Sequence, residues 1–333
     1  MKDITAVGID TAKTTFYVVG FSSTGNVMGK KKFTRPSLKK WLVKQEPLKI
    51  YMEACGGSHE WGRYLTKMGH AVKLIAPHFV SPFRQGDKND WNDALAIGIA
   101  GAQPTMRYVA IKSVDQQTIQ SLHRVRTRLQ RDRVAVANQL RGLLAEFDVV
   151  LPRSIATLRK RVPEVLDSGQ FVGVQAELFQ GLLEELRQRD EQVKQYTKRI
   201  EQLAMADPVA VKLMALNGVG VLTASALSAE VADARVFRNG RQLSAYLGLV
   251  PRQFSTGGKN RLGSITKRGD RYLRQLLVHG ARSVIRHLGD KQDRVSCWIR
   301  QLIARRGMNK AVVALANKQA RWAWAVMAQA QAV

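Results

Sequence analysis

Four carboxylates in the first third of the chain have the residue types and positions of a metal site. Asp10 ends the first predicted strand, and Glu53 ends the fourth. Asp90 and Asp93 are three residues apart at the start of a predicted helix, so they share one of its faces. Converging carboxylates repel one another unless a cation lies between them, and hard oxygen ligands suit Mg²⁺ or Mn²⁺. One or two such ions would hold a scissile phosphate and stabilise the attacking and leaving oxygens.

Each of these acidic residues also has a purely structural explanation. Asp10 ends a strand before a turn, Asp90 can cap a helix, and Asp93 is a favourable charge in a first helical turn. The placement of all four at positions that agree with one fold favours the metal site over four separate explanations. Asp87 is a nearby competitor that the spacing alone does not exclude.

Ser255 is a second candidate for chemistry, because it lies in a loop that is rich in glycine and cations. A serine hydroxyl is a weak nucleophile that needs a base or a metal to activate it and cations to hold a phosphate. The loop supplies five such cations: Arg252, Lys259, Arg261, Lys267 and Arg268. Serine in a glycine-rich loop is usually a turn residue, and Thr256, Ser244 and Ser264 are rival hydroxyl groups. Residue chemistry alone therefore leaves several candidates open.

The charge balance of the chain indicates a nucleic-acid partner. Its 333 residues include 53 Lys and Arg against 26 Asp and Glu, a formal net charge of +27. A chain this basic repels itself unless an anion neutralises it, and the usual anion is the phosphate backbone of nucleic acid. An arginine-rich helix predicted from Val114 to about Phe147 is either a solvated face or a phosphate-tracking face. The net charge favours the second interpretation, with Arg124, Arg128 and Arg131 as contacts.

The same composition argues against other classes of protein. No apolar run reaches the ~18 residues of a membrane-spanning helix, and the N-terminus lacks a signal-peptide pattern. Cys55 and Cys297 lie far apart in the sequence, and the six histidines show no zinc-ligand spacing. We therefore expect a reduced cytoplasmic protein without a membrane partner.

The elements that must position these residues divide the chain into three parts. Residues 1–110 follow the order β-β-β-α-β-α-β-α of the ribonuclease-H-like fold, which predicts a mixed α/β domain. Residues 111–206 are predicted to be basic and helical, with breaks at Pro152 and Pro163. Residues 207–333 are predicted to form a mainly helical domain with the serine loop.

The elements predicted in the first part are strands Ile4–Ile9, Thr15–Phe21, Val27–Phe33, Ile50–Met52 and Ala71–Ile75, and helices Pro36–Leu42, His59–Met68 (capped by Ser58) and Asp90–Ala100.

Two helical patterns in the rest of the chain suggest specific roles. Apolar residues recur at three- and four-residue steps from Gln175 to Met205, which suits a helical hairpin or a coiled coil between protomers. This predicted seam consists of Leu178, Leu182, Leu186, Val193, Ile200 and Leu203. Gly218 and Gly220 join two helical segments in a helix-hairpin-helix pattern, whose backbone N–H groups can bind a phosphate. Further helices are predicted at Gln242–Leu249, Arg271–Ile285 and Lys310–Met327.

Five motifs, in this order along nearly the whole chain, resemble the IS110 family of insertion-sequence transposases, and the spacing of the later ones resembles its IS1111 branch. The motifs are Val7-Gly-Ile-Asp10-Thr-Ala-Lys, Met52-Glu53-Ala-Cys-Gly, Lys88-Asn-Asp90-Trp-Asn-Asp93-Ala, Asn217-Gly-Val-Gly220 and Leu247-Gly-Leu-Val-Pro-Arg-Gln-Phe-Ser255. The resemblance implies a RuvC-like domain with an Asp-Glu-Asp-Asp metal site on Asp10, Glu53, Asp90 and Asp93. It also implies a C-terminal transposase domain with Ser255 as its catalytic serine, and a coiled-coil segment between the two domains.

The resemblance further implies the chemistry and the partners. Members of the family are similar to serine recombinases, in which the serine attacks DNA and forms a covalent phosphoserine link. They are guided by a structured non-coding bridge RNA, one loop of which pairs with target DNA and another with donor DNA. The family arrangement is a tetramer, a dimer of dimers, in which the RuvC-like domain of one protomer meets the serine of another.

We therefore expect a bridge-RNA-guided DNA recombinase that excises and inserts its own mobile element. The covalent link would store the energy of the phosphodiester bond, so strand exchange would need no ATP. One alternative is a metal-dependent junction resolvase, which would not need a basic serine loop. The other is a non-catalytic nucleic-acid-binding protein, which has no reason to place four carboxylates where they repel its ligand.

Overall fold

The computed structural model describes residues 3–331, which form two compact units. The first unit contains the chain up to Gln116, together with Glu230–Gln242 and the C-terminal residues from Met327 onward. The second unit contains Gln117–Ala229 and Leu243–Val326. The three-part division at residues 110 and 206 remains a prediction. Within the described residues, no helix is long and apolar enough to cross a membrane.

A six-stranded mixed sheet of order β3-β2-β1-β4-β5-β6 is the centre of the first unit. Its strands are β1 (Ala6–Thr11), β2 (Thr15–Phe21), β3 (Val27–Thr34), β4 (Lys49–Glu53), β5 (Ala71–Ile75) and β6 (Tyr108–Val109). The pairs β1–β4 and β4–β5 are parallel, whereas β2, β3 and β6 pair antiparallel. The predicted mixed α/β class and its first five strands are confirmed. The two-residue β6 was not predicted, because so short a strand gives no periodic signal.

Helices cover both faces of this sheet. They are α1 (Arg35–Val43), α2 (Ser58–Lys67), α3 (Pro77–Val80) and α4 (Asp90–Gly101), with 3₁₀ turns at Ser81–Phe83 and Ala234–Val236. Side chains alternate between the faces of a strand, so Ile9 and Met52 pack on one face in the cluster that includes Trp61 of α2. On the opposite face, Tyr51 and Ile75 pack with residues of α4.

The start of α2 differs from the prediction that Ser58 caps it. Gly57 occupies the capping position with φ 87°, a left-handed conformation that glycine adopts without strain. Ser58 is the first helical residue, and its hydroxyl donates to the carbonyl of Cys55 at 2.9 Å. The cap prediction was wrong because the chain enters α2 through a tight turn at Gly56 and Gly57, and no side chain caps the helix.

Glycines let α4 lie unusually close to the sheet. A Cβ atom at Gly8 of β1 would lie 2.3 Å from the carbonyl oxygen of Ala94, and one at Gly98 would lie 2.1 Å from the ring of Phe21. Either side chain would force the helix away from the strands. The two glycines therefore set the height of α4, and with it the position of the acidic residues in its first turn.

The second unit is mainly helical, as predicted. The remaining helices of the chain are α5 (Val114–Ala145), α6 (Ile155–Asp167), α7 (Val174–Ala206), α8 (Pro208–Met214), α9 (Val221–Val231), α10 (Gly240–Tyr246), α11 (Arg271–Arg286), α12 (Arg294–Arg306) and α13 (Met308–Ala330). A two-stranded hairpin of β7 (Pro251–Gln253) and β8 (Leu262–Ile265) lies between α10 and α11. The strands of this hairpin and helix α12 were not predicted.

The buried seam of α7 is offset from the predicted one. Leu178 and Leu203 are 49% and 40% exposed, whereas Leu186, Val193 and Ile200 are buried as expected. The buried positions instead include Phe179, Leu183 and Asp190, and they pack within the same chain against residues of α5 and α6.

Asp190 explains why the apolar pattern misled the prediction of the seam. It is 8% exposed in the middle of the α7 seam, and Arg133 and Arg159 bind its carboxylate at 3.4 and 2.9 Å. Paired charges can be buried in this way, but an apolar template passes over them. The seam therefore forms a helical hairpin inside the chain, and a coiled coil between protomers remains a prediction.

Pro163 does not break its helix, contrary to the prediction. It lies inside α6, where the missing N–H group and the ring clash cost about 3 kcal/mol. Leu158 and Val162 of the same helix are fully buried, so tertiary packing outweighs that cost. Pro152 lies in the non-helical segment between α5 and α6, as expected.

Candidate functional site

Asp10 and Glu53 are neighbours at the ends of two parallel strands. Ile9 of β1 pairs with Met52 of β4, so the next residues along the two strands are Asp10 and Glu53. Both side chains belong to the sheet face that α4 covers, opposite to that of Ile9 and Met52. Just beyond them, the hydroxyl of Thr11 and the thiol of Cys55 are hydrogen-bonded at 2.9 Å, which ties the two strand ends together.

The first turn of α4 adds the other two carboxylates. Asn89 caps the helix, because its side chain accepts a hydrogen bond from the backbone N–H of Asn92 at 2.9 Å. Asp90 and Asp93 are therefore the first and fourth helical residues. The suggestion that Asp90 serves as a cap is wrong, which leaves its carboxylate without that structural role.

The electrostatics of the site show that the four carboxylates act on one another. The pKa of Asp10 is raised to about 6, first by burial and then by the charges of Asp93, Asp90 and Glu53. The pKa of Glu53 is also raised, by burial and then by Asp93, although Lys88 and Arg84 lower it. These shifts are those expected of like charges that converge without a cation between them.

Arg84 neutralises part of this charge. Its guanidinium donates to a carboxylate oxygen of Asp93 at 3.3 Å. Within residues 3–331, no group of three or more His, Cys, Asp or Glu side chains is drawn together closely enough to hold an ion. The donor set nevertheless suits a hard divalent cation, since it consists of carboxylate oxygens that repel one another. Asp87 is not among the charges that raise the pKa of Asp10 or Glu53.

We predict that Asp10→Asn stabilises the metal-free protein. The folded state raises the pKa of Asp10 from 3.8 to about 6, so the protonated carboxyl group stabilises the fold most at a pH below 3.8. This stabilisation is lost as the pH rises through about 6 and the group ionises. At pH 7 the substitution should add about 1–2 kcal/mol, after a discount for the partial exposure of the group. Thermal melting in EDTA measures this difference.

Mg²⁺ provides the second half of this test. It should raise the melting temperature of the wild type more than that of Asp10→Asn, because the variant lacks one ligand charge. The matched control is Asp87→Asn, which should melt and respond to Mg²⁺ as the wild type does. An equal response of Asp10→Asn and wild type to Mg²⁺ would contradict a metal site at Asp10.

Ser255 lies near the tip of an exposed β-hairpin in the second unit. Its hydroxyl donates to the side-chain oxygen of Asn260 at 3.0 Å and accepts from the amide of Gln253 at 2.8 Å. Gly257 and Gly258, both with positive φ, form the tight turn beyond it. The hydroxyl is thus oriented by two amide side chains and remains accessible to a ligand.

The base of this hairpin is anchored to the helical body of the second unit. The backbone N–H of Lys267 donates to the carbonyl of Gly248 at 3.1 Å. Arg274 of α11 donates to the carbonyls of Leu247 and Arg268, at 3.0 and 2.9 Å. Because the base is held and the tip is exposed, the hairpin can present Ser255 to a ligand at a defined position.

The predicted cations surround the serine along the same hairpin and just beyond it. They are all exposed: Arg252, Lys259, Arg261, Lys267 and Arg268. Among the described residues, none of these side chains forms an ion pair with a carboxylate. Their charge is therefore available for phosphate groups, as an exposed hydroxyl nucleophile would require.

The rival hydroxyl groups differ in their accessibility. Ser244 is 1% exposed within α10 and contacts the side chain of Asn317, so it cannot reach a macromolecular ligand in this structure. Thr256 and Ser264 are exposed on the same hairpin. Exposure therefore excludes Ser244 and leaves three candidate nucleophiles: Ser255, Thr256 and Ser264.

Helix α5 contains six arginines, and three of them bind groups within the same chain. Arg126 binds Thr197, Arg133 binds Asp190, and Arg141 binds the carbonyls of Pro152 and Arg153. In contrast, the three arginines predicted to contact phosphates are exposed at spacings of four and three residues, hence on one helical face: Arg124, Arg128 and Arg131. Arg128 also forms a long ion pair of 3.8 Å with Asp132.

The Gly218–Gly220 turn joins α8 and α9, but only part of it is open to a ligand. A Cβ atom at Gly218, whose φ is 82°, would lie 2.3 Å from the amide of Gln319 and 2.9 Å from the carbonyl of Gly280. Gly220 faces open space. The close packing at Gly218 serves the core, so a phosphate-binding helix-hairpin-helix remains a prediction that rests on Gly220 and the N-terminus of α9.

Sequence reasoning missed the polar partners that complete both sites. Arg84, which pairs with Asp93, precedes the acidic motif by a stretch of polar residues without periodicity. Gln253 and Asn260 are brought beside Ser255 only by the pairing of the hairpin strands. The one sequence signal for that hairpin was the pair Gly257-Gly258, which lies between Thr256 and Lys259.

In comparisons with known proteins, an N-terminal and a C-terminal segment of the chain each match a transposase family. Residues 7–148 match the family described as “Transposase”, the DEDD domain of the IS110 type, and residues 210–296 match the “Transposase IS116/IS110/IS902 family”. The chain is 42% identical over 330 residues to the “Probable family 20 transposase” of Pseudomonas aeruginosa, which covers 98% of both chains. It is 40% identical to the “Transposase for insertion sequence element IS1111A” of Coxiella burnetii, over 98% of this chain and 90% of that one. It is 37% identical to the IS1328 transposase of Yersinia enterocolitica, over 99% and 98%.

Proposed function

This chain belongs to the IS116/IS110/IS902 family of transposases, enzymes that cleave and rejoin DNA, and we propose that it is a bridge-RNA-guided serine recombinase that excises and inserts its own element. The observation that carries the proposal is the exposed Ser255, whose hydroxyl is held by two amides among exposed cations. A nuclease that activates water at its carboxylates would not need this arrangement.

In the proposed reaction, Ser255 makes and breaks a phosphodiester bond. Its Oγ gives up its proton to solvent and forms a bond to phosphorus while the bond from phosphorus to the deoxyribose oxygen breaks, and the released oxygen takes up a proton to become a hydroxyl. Rejoining reverses the step when a hydroxyl of the partner strand attacks the phosphoserine. The number of phosphoester bonds is conserved, so no ATP is needed. Asn260 orients the serine proton, but an amide oxygen is too weak a base to retain it.

The carboxylate site is the proposed place of Mg²⁺ or Mn²⁺. Asp10, Glu53, Asp90 and Asp93 would be its ligands, and the bound ion would stabilise charge on the scissile phosphate. Without the ion, Arg84 holds Asp93 and burial holds the pKa of Asp10 high. This arrangement limits repulsion between the free carboxylates.

The proposed partners are donor DNA, target DNA and a structured guide RNA encoded by the element. The cations of the serine hairpin, the exposed face of α5 and the open backbone at Gly220 would hold their phosphates. The proposed assembly is a homotetramer, a dimer of dimers. We place the protein in the bacterial cytoplasm at the nucleoid, where its DNA substrates are.

A reconstituted reaction tests the proposal. Purified protein, both DNA ends, a target duplex and RNA transcribed from the non-coding flank of the reading frame should yield joined recombinants with Mg²⁺ and without ATP. Recombination at the same rate without RNA would remove RNA guidance from the proposal. Cleaved ends that are never rejoined would instead favour a junction resolvase that uses the carboxylates alone.

Binding to DNA and RNA should fall steeply with salt. If six to ten phosphates are contacted, affinity should fall about 10³–10⁵-fold between 50 and 200 mM salt. Replacement of Arg124, Arg128 and Arg131 by Gln should reduce the slope of log affinity against log salt by roughly 2–3. The control replaces three exposed cations of α7, Lys194, Lys198 and Arg199, and should leave the slope nearly unchanged. Equal slopes for the two triple variants would contradict a binding face on α5.

A further inference from the structure

A row of side chains crosses the sheet on the same face as the carboxylates. In β1 and β2, Asp10 pairs with Tyr17, and in β2 and β3, Tyr17 pairs with Lys32. Residues at paired positions of neighbouring strands point to the same face. Glu53 is the neighbour of Asp10 on its other side. The row Glu53, Asp10, Tyr17 and Lys32 therefore passes from two carboxylates to an aromatic ring and then to a cation.

Trp91 adds a second ring to this row from helix α4. It follows Asp90 directly, and its ring lies 4.8 Å from that of Tyr17 in an edge-to-face arrangement. The ammonium group of Lys32 lies over the Tyr17 ring, 5.5 Å from its centroid. Tyr17 and Trp91 are each partly exposed, and Lys32 is exposed. Two independent elements thus place aromatic surface beside the carboxylates.

Part of this aromatic surface is structural, and part is left open. Tyr17 and Trp91 pack at the edge of the small core formed by Val19, Phe21 and Ala94. Packing explains their buried parts but not the parts that remain accessible next to a charged site. Lys32 contacts the Tyr17 ring, but no carboxylate among the described residues pairs with its charge.

Charge along the row is suited to a phosphate backbone. Lys32 ends the row beyond Tyr17, and the charges of Arg84 and Lys88 act on Glu53. Residues 11–45, which include β2 and β3, contain eight Lys and Arg and no Asp or Glu. Three strand spacings of about 4.8 Å separate Glu53 from Lys32. This length of roughly 14 Å corresponds to a few nucleotides of a strand that rises 3.4 Å per residue.

We propose that Tyr17, Trp91 and Lys32 form a docking platform for the DNA strand that is cut at the carboxylate site. Because the two rings are perpendicular, an unstacked base next to the scissile phosphate stacks on the open face of one ring and contacts the other ring at its edge, and Lys32 neutralises an adjacent phosphate. Stacking on aromatic side chains tolerates any base, since every base has a π-face. That suits an enzyme whose target sequence is chosen by a guide. The inference rests on the proposed function for the identity of the strand, but not on the serine chemistry.

Photocrosslinking tests the stacking directly. DNA carrying 5-iododeoxyuridine at each position around the cleavage site is bound to the full chain with guide RNA in EDTA, irradiated and mapped by mass spectrometry. Crosslinks should fall on Tyr17 or Trp91 from one or two adjacent positions. The Tyr17 crosslink should be lost in Tyr17→Leu and recovered in Tyr17→Phe, with melting curves to verify folding. Crosslinks that map elsewhere, or that arise only when the label is in the RNA, would overturn the proposal.

Two neighbouring lysines give a matched test of the phosphate contact. Lys31 and Lys32 are adjacent exposed residues of β3, and they point to opposite faces of the sheet. For a short single-stranded oligodeoxynucleotide, Lys32→Gln should lower the slope of log affinity against log salt by about 0.7, the value for one phosphate contact. Lys31→Gln should leave the slope unchanged. Equal slopes for the two variants would overturn the contact, because they would show only the loss of general positive charge.

The outcomes also separate this inference from the proposed function. Crosslinks at the rings without any covalent serine adduct in the cleavage reaction would keep the platform and reject the serine mechanism. An adduct on Ser255 without crosslinks at either ring would do the reverse.

Discussion

Ser255→Ala should abolish the covalent protein–DNA adduct that we expect the wild-type chain to form on a nicked suicide substrate. In the wild type, loss of the released fragment would trap the phosphoserine, and the adduct would survive denaturation. Removal of the nucleophile should lower strand cleavage by at least about 10³-fold, the scale of several kcal/mol of lost transition-state stabilisation. Denaturing electrophoresis and mass spectrometry of the adduct provide the measurement.

Controls for Ser255 come from the same hairpin. Thr256→Ala and Ser264→Ala remove the two other exposed hydroxyl groups and should retain the adduct. Ser255→Ala should still bind RNA and DNA, since one hydroxyl contributes little beside so many cations. An adduct that persists in Ser255→Ala but disappears in Thr256→Ala would move the nucleophile by one residue. Cleavage without an adduct in every variant would show that water is the nucleophile.

The groups that orient the Ser255 hydroxyl do not include a base. Gln253 and Asn260 hold the oxygen by hydrogen bonds of 2.8 and 3.0 Å, and neither group can act as a strong base. If Ser255 is the nucleophile as proposed, the hairpin therefore positions it but does not activate it. An unactivated serine is safe for an enzyme that must not cut DNA before its substrates are aligned.

The parts of the structure that sequence predicted are those with a clear local pattern. Strands β2 and β5 were predicted with their observed bounds, because each is a short, mainly apolar run bounded by turn residues. The position of Asp10 after such a strand then followed from the fold order. By contrast, the seam of α7 contains the buried Asp190, and α6 continues through Pro163. In both helices, tertiary contacts override the local pattern.

In the candidate sites too, sequence patterns predicted the residues on regular elements but not their tertiary contacts. The residue types and strand ends were sufficient to place Asp10 and Glu53 together, because parallel strands end at the same edge of a sheet. The salt bridge of Arg84 with Asp93 depends on an irregular loop, whose path no periodicity encodes. The row of Tyr17 and Lys32 depends on register, which only the assembled sheet reveals. Sequence therefore predicts ligands at regular elements better than it predicts the groups that surround them.

Asp10→Ala and Asp93→Ala should each lower Mg²⁺-dependent strand cleavage by at least about 10³-fold, because loss of a ligand removes several kcal/mol of charge stabilisation at the phosphate. The serine adduct should disappear with the cleavage, which distinguishes a metal that assists the serine from a separate nuclease site. Neither substitution should unfold the chain. Burial and acidic neighbours raise the pKa of Asp10, which means that its charged form is unfavourable in the folded protein at neutral pH. Both rates are measured on the same nicked substrate as for Ser255.

Binding measurements give these carboxylate variants a signature that misfolding cannot imitate. In EDTA, removal of a negative charge beside the DNA path should leave affinity unchanged or increase it, because carboxylates repel phosphates when no cation lies between them. Asp87→Ala is the matched control, an exposed acid of the same segment that does not act on Asp10, and it should cleave at close to the wild-type rate. If Asp10→Ala or Asp93→Ala recombined at the wild-type rate with Mg²⁺, the carboxylates would have no part in the chemistry. If instead both variants lost DNA binding together with cleavage, the carboxylates would be structural supports of the binding surface rather than ligands of an ion.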